Sequence, residues 1–253
     1  MRETEAHRQE AGFWTSGPRA VREALAAGRV SKVYVQVGSG EAVRVAKEAR
    51  AAGIPVEIVP REALARLAGS HHQGVVARLR PVPALALDGF LERAFRGADP
   101  VMVVLDHLED PMNVGAIARS VEAMGAFGLV LPKRRQAGLG SGALRASAGA
   151  LAHLPVTEVG NIAQVLEKVK ARGAWVVAAD PKGGDVAGEV DLTGPLALVV
   201  GAEEKGVSRL VLERADFRVR IETGGKTASL NASVAAGILL YEIMRQRADR
   251  VRS

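Results

Sequence analysis

Six short apolar segments recur through the second half of this chain, at 101–106, 127–131, 154–158, 175–180, 196–200 and 217–221. Helical patterns lie between most of them, clearest at 113–125, 161–172 and 231–247. Strands that alternate with helices predict a parallel sheet covered on both faces. In such sheets ligands bind beyond the carboxyl ends of the strands. The last helix is apolar almost all the way round from Ala232 to Met244, so it is expected to be buried on several sides, one of them a subunit interface.

The first half alternates on a smaller scale. Residues 18–27 read as a helix begun by Ser16 and stopped by Gly28. Strands follow at 32–37, 55–59 and 74–79, with helices at 41–52 and 61–68 between them. Pro81-Val-Pro83 cannot continue a central strand and stiffens the chain, so it marks the start of a linker, and a short amphipathic piece follows at 87–95. The expected organisation is a mobile tail over 1–13, a small α/β domain over 14–80, a linker over 81–96 and a second domain over 97–253.

Charge narrows the partners. The formal charge is +6, and the excess is uneven: residues 1–80 hold 13 Lys/Arg against 8 Asp/Glu, and the remainder 21 against 20. A basic module ahead of a nearly neutral one favours an anionic partner, nucleic acid before membrane. No run approaches the roughly 18 apolar residues of a membrane span. The first ten residues mix charge signs and lack the apolar core of a secretory signal. With no cysteine, disulfides, cysteine nucleophiles and thiolate metal sites are excluded, and the cytoplasm is the expected compartment. His71-His72 is the only close histidine pair and has no further ligand at suitable spacing, so no metal is expected.

Several polar residues sit where chemistry would need them, each with a plainer reading beside it. Asn113 and Arg119 bracket the first turns of a helix, and capping alone would explain Asn113. Gly201-Ala-Glu203-Glu-Lys-Gly206 follows the apolar strand Leu196-Ala-Leu-Val-Val200 but lacks phosphate-loop spacing. Its glycines allow a ligand, or merely a tight turn, against the backbone. Ser229 or Asn231 could cap the last helix. Gly138-Leu-Gly140-Ser-Gly-Ala143, with Glu158 twenty residues on, fits a dinucleotide fingerprint, yet residues 132–137 separate the strand from the first glycine. A basic loop is the better reading there, with Lys133, Arg134 and Arg135 suited to phosphate.

Taken in order, Asp110-Pro-Met-Asn-Val-Gly-Ala-Ile-Ala-Arg-Ser120, Val200-Gly-Ala-Glu-Glu-Lys-Gly-Val-Ser208 and Ala228-Ser-Leu-Asn-Ala-Ser233 resemble the three motifs of the SpoU family of RNA ribose 2′-O-methyltransferases. Weaker echoes support the front domain. Gly17-Pro-Arg-Ala-Val-Arg-Glu-Ala-Leu25 and His72-Gln-Gly-Val-Val-Ala77 resemble the two ends of a ribosomal-protein-like substrate-binding domain. Ala146-Ser-Ala-Gly-Ala150 resembles a further family signature. The chain departs from the family at Glu222-Thr223, where Pro-Met is usual, and at Ala228, where Glu is frequent. The RlmB-like branch, which methylates a guanosine of 23S rRNA, matches best. Thiostrepton-resistance enzymes share the layout, and tRNA-modifying TrmH-type enzymes lack the front domain.

The resemblance implies an α/β SPOUT methyltransferase domain with a C-terminal trefoil knot, behind a small α/β RNA-binding domain. It implies a homodimer that uses S-adenosylmethionine and no metal. The implied catalytic residues are Arg119, Asn113, Glu203, Ser229 and Asn231. The cofactor would lie against Val200, Gly201, Ile221, Leu230, Ser229 and Ala178. RNA would meet Arg19, Arg22, His72, Gln73, Lys133, Arg134 and Arg135. A guanidinium is effectively never deprotonated in a protein. Arg119 is therefore expected to clamp phosphate and stabilise developing charge on the 2′-oxygen. Asn113 would orient Arg119 or the ribose, Glu203 would position the substrate or Arg119, and Ser229 and Asn231 would hold the nucleotide and one end of the cofactor. Two other classes remain: a catalytically silent RNA-binding or ribosome-assembly factor, and a nicotinamide oxidoreductase.

Overall fold

The computed structural model describes residues 13–225 and 229–252. The expected tail falls almost wholly outside the described residues. The chain forms two compact units, one from the residues up to Val82 with 139–153, the other from Pro83–Gly138 and from Leu154 onward.

The first unit carries a four-stranded sheet of β1 (Phe13–Ser16), β2 (Val30–Gln36), β3 (Val56–Val59) and β4 (Val75–Leu79), ordered β1-β4-β2-β3. Only β2 and β3 pair in parallel. Alternation in β2 sends Val33 and Val35 to one face, where they meet Val21 of α1 (Pro18–Ala26) and Val45 of α2 (Gly40–Ala51). A third helix, α3 (Arg61–Ala68), follows β3. One expectation changes here. Ser16 does not start α1 but ends β1, and Gly17, with φ of 90°, takes the cap position without a side-chain bond. Four residues are too few for strand periodicity to be visible.

The second unit is an eight-stranded sheet in the order β10-β12-β9-β11-β6-β7-β8-β5, and every pairing is parallel. The strands are β5 (Ala84–Leu85), β6 (Val101–Asp106), β7 (Gly128–Pro132), β8 (Val156–Val159), β9 (Trp175–Ala179), β10 (Asp185–Val186), β11 (Leu196–Gly201) and β12 (Phe217–Arg220). The stretch 81–96, expected as a linker, is folded. In it β5 adds to the sheet edge, and α4 (Leu87–Ala94) buries Phe90 and Leu91 completely. The central strands β6, β7 and β11 are buried at every position, as strands covered on both faces must be.

The remaining helices are α5 (Pro111–Ala123), α6 (Ser141–Ala146, in the first unit), α7 (Ile162–Lys170), α8 (Arg209–Arg214) and α9 (Ala232–Arg252). Helix α9 packs on α5, with Gly237 close to Ser120. Ala236, Leu239, Leu240 and Ile243 of α9 are buried, whereas Val234, Ile238, Tyr241 and Met244 on its other side are 40–59% exposed.

Candidate active site

Strands β6 and β11 lie side by side with Asp106 opposite Gly201, so the loops leaving them emerge together at the carboxyl edge of the sheet. After β11 the chain turns sharply. Gly206 N–H donates to the Ala202 carbonyl at 2.7 Å, and Gly206 adopts φ of 65°. This turn folds back over Gly201, leaving no space for a β-carbon there. Ser208 N–H then donates to Asp106 Oδ2 at 2.6 Å, tying the end of the loop to β6.

Helix α5 begins two residues ahead of Asn113. Asp110 is its cap, accepting from Met112 N–H at 2.8 Å, and Pro111 opens the first turn. Capping, the plainer reading of Asn113, is therefore not its role. Asn113 is 8% exposed and donates through Nδ2 to Glu203 Oε1, while its Oδ1 accepts from Asn231 Nδ2 at 3.1 Å. Asn231 caps α9: its Oδ1 accepts from Ser233 N–H at 2.9 Å and from Ser233 Oγ at 2.7 Å. One polar chain, Glu203–Asn113–Asn231, thus joins the first turn of α5 to two segments 90 and 118 residues further along the sequence.

Beside it lies a pocket of about 650 Å³. Val200, Gly201, Ile221, Ser229 and Leu230 line it, together with Glu203. Ala178 does not; it is fully buried in the core, and Ala179, the last residue of β9, reaches the lining instead. Asp180 and Lys182 were missed, although they stand just beyond a strand end, where α/β folds collect ligand groups. Thr223 also lines the pocket, Glu222 is exposed, and Ala228 lies outside the described residues.

Arg119 lies elsewhere. It is exposed, outside the pocket lining, and makes no hydrogen bond or ion pair among the described residues. It sits two turns beyond the half-exposed Met112, so both occupy one face of α5. Asn113 follows the buried face with Ile117.

The residues expected to meet RNA divide sharply. Lys133, Arg134 and Arg135 are exposed and free of ion pairs among the described residues. Gln136 anchors their loop by accepting from Leu108 N–H at 2.8 Å. Gln73 is exposed, with φ of 48°. Arg19 is exposed but bonded to Glu23 at 3.0 Å. Arg22 is occupied by Glu48 and Glu41, both at 3.0 Å, and these bonds raise its pKa. His72 is 2% exposed, and its Nδ1 accepts from Gly74 N–H at 3.0 Å. Its expected RNA contact is corrected to a buried role in the turn before β4.

A parallel α/β domain with a pocket at its carboxyl edge, bordered by an amide–carboxylate chain, belongs to the α/β proteins that bind a ligand at that edge. Comparisons with known proteins narrow it. Residues 100–241 match the model of the SpoU rRNA methylase family, and residues 16–84 match that of the RNA 2′-O ribose methyltransferase substrate-binding domain. YacO of Bacillus subtilis, named for the TrmH family of tRNA/rRNA methyltransferases, is 42% identical over 91% of this chain and 94% of its own length. The SpoU methyltransferase AviRb from Streptomyces viridochromogenes, solved with the cofactor AdoMet, superimposes with a TM-score of 0.78 at 28% identity, covering 96% of this chain and 93% of that one. A structure described as an RNA 2′-O ribose methyltransferase gives 0.75 at 28% identity, over 96% and 92%. The chain belongs to the SpoU rRNA methylase family.

Proposed function

We propose that this protein transfers the methyl group of S-adenosylmethionine to a ribose 2′-hydroxyl in RNA, the target being a guanosine of 23S rRNA. The observation that carries this reading is the Glu203–Asn113–Asn231 chain at the border of the pocket. The pocket suits the cofactor in size, since small-molecule sites run from about 300 to 1,000 Å³. Its chemistry also fits. Val200, Leu212, Val219, Leu230 and Leu239 offer apolar surface to an adenine and a thioether chain. Asp180 and Lys182 offer partners for hydroxyl and carboxylate groups. AviRb, solved with AdoMet on the same fold, supports the assignment. When bound, the cofactor supplies an electrophilic methyl on a sulfonium.

The protein's own residues then have separable tasks. Asn113 fixes Glu203 and, through Asn231, the start of α9, so the pocket border is set before substrate arrives. Arg119, exposed on α5 and unpaired among the described residues, acts as a clamp on RNA phosphate and on charge developing at the 2′-oxygen. It does so within a homodimer, where the apolar row Val234, Ile238, Tyr241 and Met244 of α9, beside α5, is buried against a second copy. A trefoil knot belongs to the same reading, with the chain beyond β12 returning to the α5 side through Ser229–Asn231. Lys133, Arg134 and Arg135 bind RNA backbone.

Purified protein should methylate 23S rRNA taken from cells that lack it, and leave 23S rRNA from cells that contain it unlabelled. Equal labelling of both preparations contradicts a single natural target in that RNA. Replacing Lys133, Arg134 and Arg135 by serine should weaken RNA binding while cofactor affinity stays within about threefold. Each lost phosphate contact lowers the slope of log K against log salt by about 0.7–0.9. An unchanged slope removes this loop from the RNA path.

A further inference from the structure

On the first unit, Arg22 and His72 are engaged within the fold and Arg19 is bonded to Glu23, so other side chains must present the basic excess of residues 1–80. One face of the four-stranded sheet does so. Alternation sends Val33 and Val35 of β2, and Ala77 and Leu79 of β4, into the core with α1 and α2. It turns Lys32, Tyr34 and Arg78 to the opposite face. Register places Trp14 of β1, Arg78 of β4 and Lys32 of β2 in one row across three strands. The rings of Trp14 and Tyr34 meet over β4, with centroids 5.6 Å apart and planes at 56°. Lys32 Nζ lies 5.1 Å from the centre of the Tyr34 ring. Helix α3 packs on β1, β2 and β4, where Leu64 and Val76 are buried, yet both rings stay partly exposed.

The charge of this face is one-sided. Arg78 and Arg80 are exposed and have no ion pair among the described residues. Arg80 N–H donates to the Arg29 carbonyl at 2.7 Å, so the alternation continues past β4 and Arg80 falls on the side of Arg78. Arg29 is 8% exposed, donates from Nη2 to the Arg80 carbonyl at 2.9 Å, and keeps a buried Nε without a partner among the described residues. Burial, and then the charge of Arg80, lower its pKa. Glu57, opposite Tyr34 on β3, is already held by Lys32 at 2.6 Å.

We infer that this sheet face is a stacking platform for unpaired bases of the RNA substrate, with Trp14 and Tyr34 meeting bases and Arg78 and Arg80 meeting the phosphates beside them. The inference rests on RNA being the substrate of the proposed reaction. A four-stranded sheet with aromatic side chains on one face is a recurrent holder of single-stranded RNA. Every base has a π-face, so the rings accept any sequence, and the guanidiniums follow the backbone. A duplex keeps its bases stacked on one another and cannot use the rings. The match of residues 16–84 to an RNA 2′-O ribose methyltransferase substrate-binding domain agrees with the charge of the face.

The test uses the full-length protein. In Trp175→Phe, Trp14 is the only tryptophan. Its emission should be quenched by oligouridylate and by 23S rRNA from cells lacking the protein, and not by a duplex of the same length as the oligouridylate. Arg78→Ala should weaken oligouridylate binding and lower the slope of log K against log salt by about 0.7. Trp14→Leu and Tyr34→Leu keep apolar packing and should each weaken binding by about fivefold or more. Trp14→Phe keeps a ring and should recover most of the affinity. Affinity for S-adenosylmethionine should stay within threefold in every variant, since none of these residues lines the pocket. Emission that ignores single-stranded RNA, or an unchanged salt slope in Arg78→Ala, overturns the inference and leaves the face to a protein partner. The proposed function still stands if the wild type labels 23S rRNA. Quenching by oligouridylate in a protein that methylates no RNA overturns the proposed function and leaves the platform in place.

Discussion

Replacing Gly201 by alanine should abolish S-adenosylmethionine binding and destabilise the fold together. A β-carbon at this position would fall within bonding range of the Gly206 carbonyl group and the Val207 nitrogen. All of these atoms are backbone, so no side chain can swing aside. Relief requires the turn from Ala202 to Val207 to lift, and that turn forms one wall of the pocket and is tied to Asp106 through Ser208. Overpacking of this kind costs about 1–3 kcal/mol, or more when backbone must shift. A loss of about 3 kcal/mol lowers Tm by roughly 6–12 °C in a chain of this size. If the same displacement is felt in binding, affinity falls by about 100-fold. Calorimetry and a thermal melt report the two effects, and Gly138→Ala, where the β-carbon meets nothing within 4 Å, is the control. Wild-type binding by Gly201→Ala would show that the ligand lies elsewhere.

Arg119→Ala should give the opposite profile. Its side chain is exposed, unpaired among the described residues and absent from the pocket lining. Removing it should change stability by no more than about 0.5 kcal/mol and leave the cofactor dissociation constant within a few-fold. Turnover should fall by about 100- to 1,000-fold, the usual loss for a group that meets developing charge. Arg119→Lys should recover little, because an ammonium cannot reproduce a bidentate fork on phosphate. A large loss of cofactor affinity in Arg119→Ala would place the guanidinium on the methionine side and overturn the clamp.

The sequence made the parallel sheet legible because its strands are buried on both faces and read as continuous apolar runs, as in Leu196-Ala-Leu-Val-Val200. It hid β1, β5 and β10, which have two to four residues each and carry no periodicity. The 81–96 stretch was legible in part: its amphipathic piece at 87–95 is α4, which buries Phe90, Leu91 and Ala94, whereas β5 is too short to leave a pattern. Motif spacing named Asn113, Glu203 and Asn231 but could not give their bonding, since partners 90 and 118 residues away are invisible to local pattern. The same limit explains His72 and Arg22. Both look like surface RNA ligands in sequence, yet one is buried in a turn and the other is held by two glutamates. Asp106 escaped notice because a strand-terminal aspartate reads as a solvated end, whereas here it anchors Ser208 and His107.

The central claim is the chemical position of the methyl group on RNA. Purified protein, S-adenosylmethionine with a tritiated methyl and 23S rRNA from cells lacking the protein should give labelled RNA. Alkali cleaves RNA only where a free 2′-hydroxyl is present. The account therefore predicts that all label survives alkaline hydrolysis in dinucleotides whose first residue is a guanosine. Label released in mononucleotides would mean methylation of a base and would contradict the account.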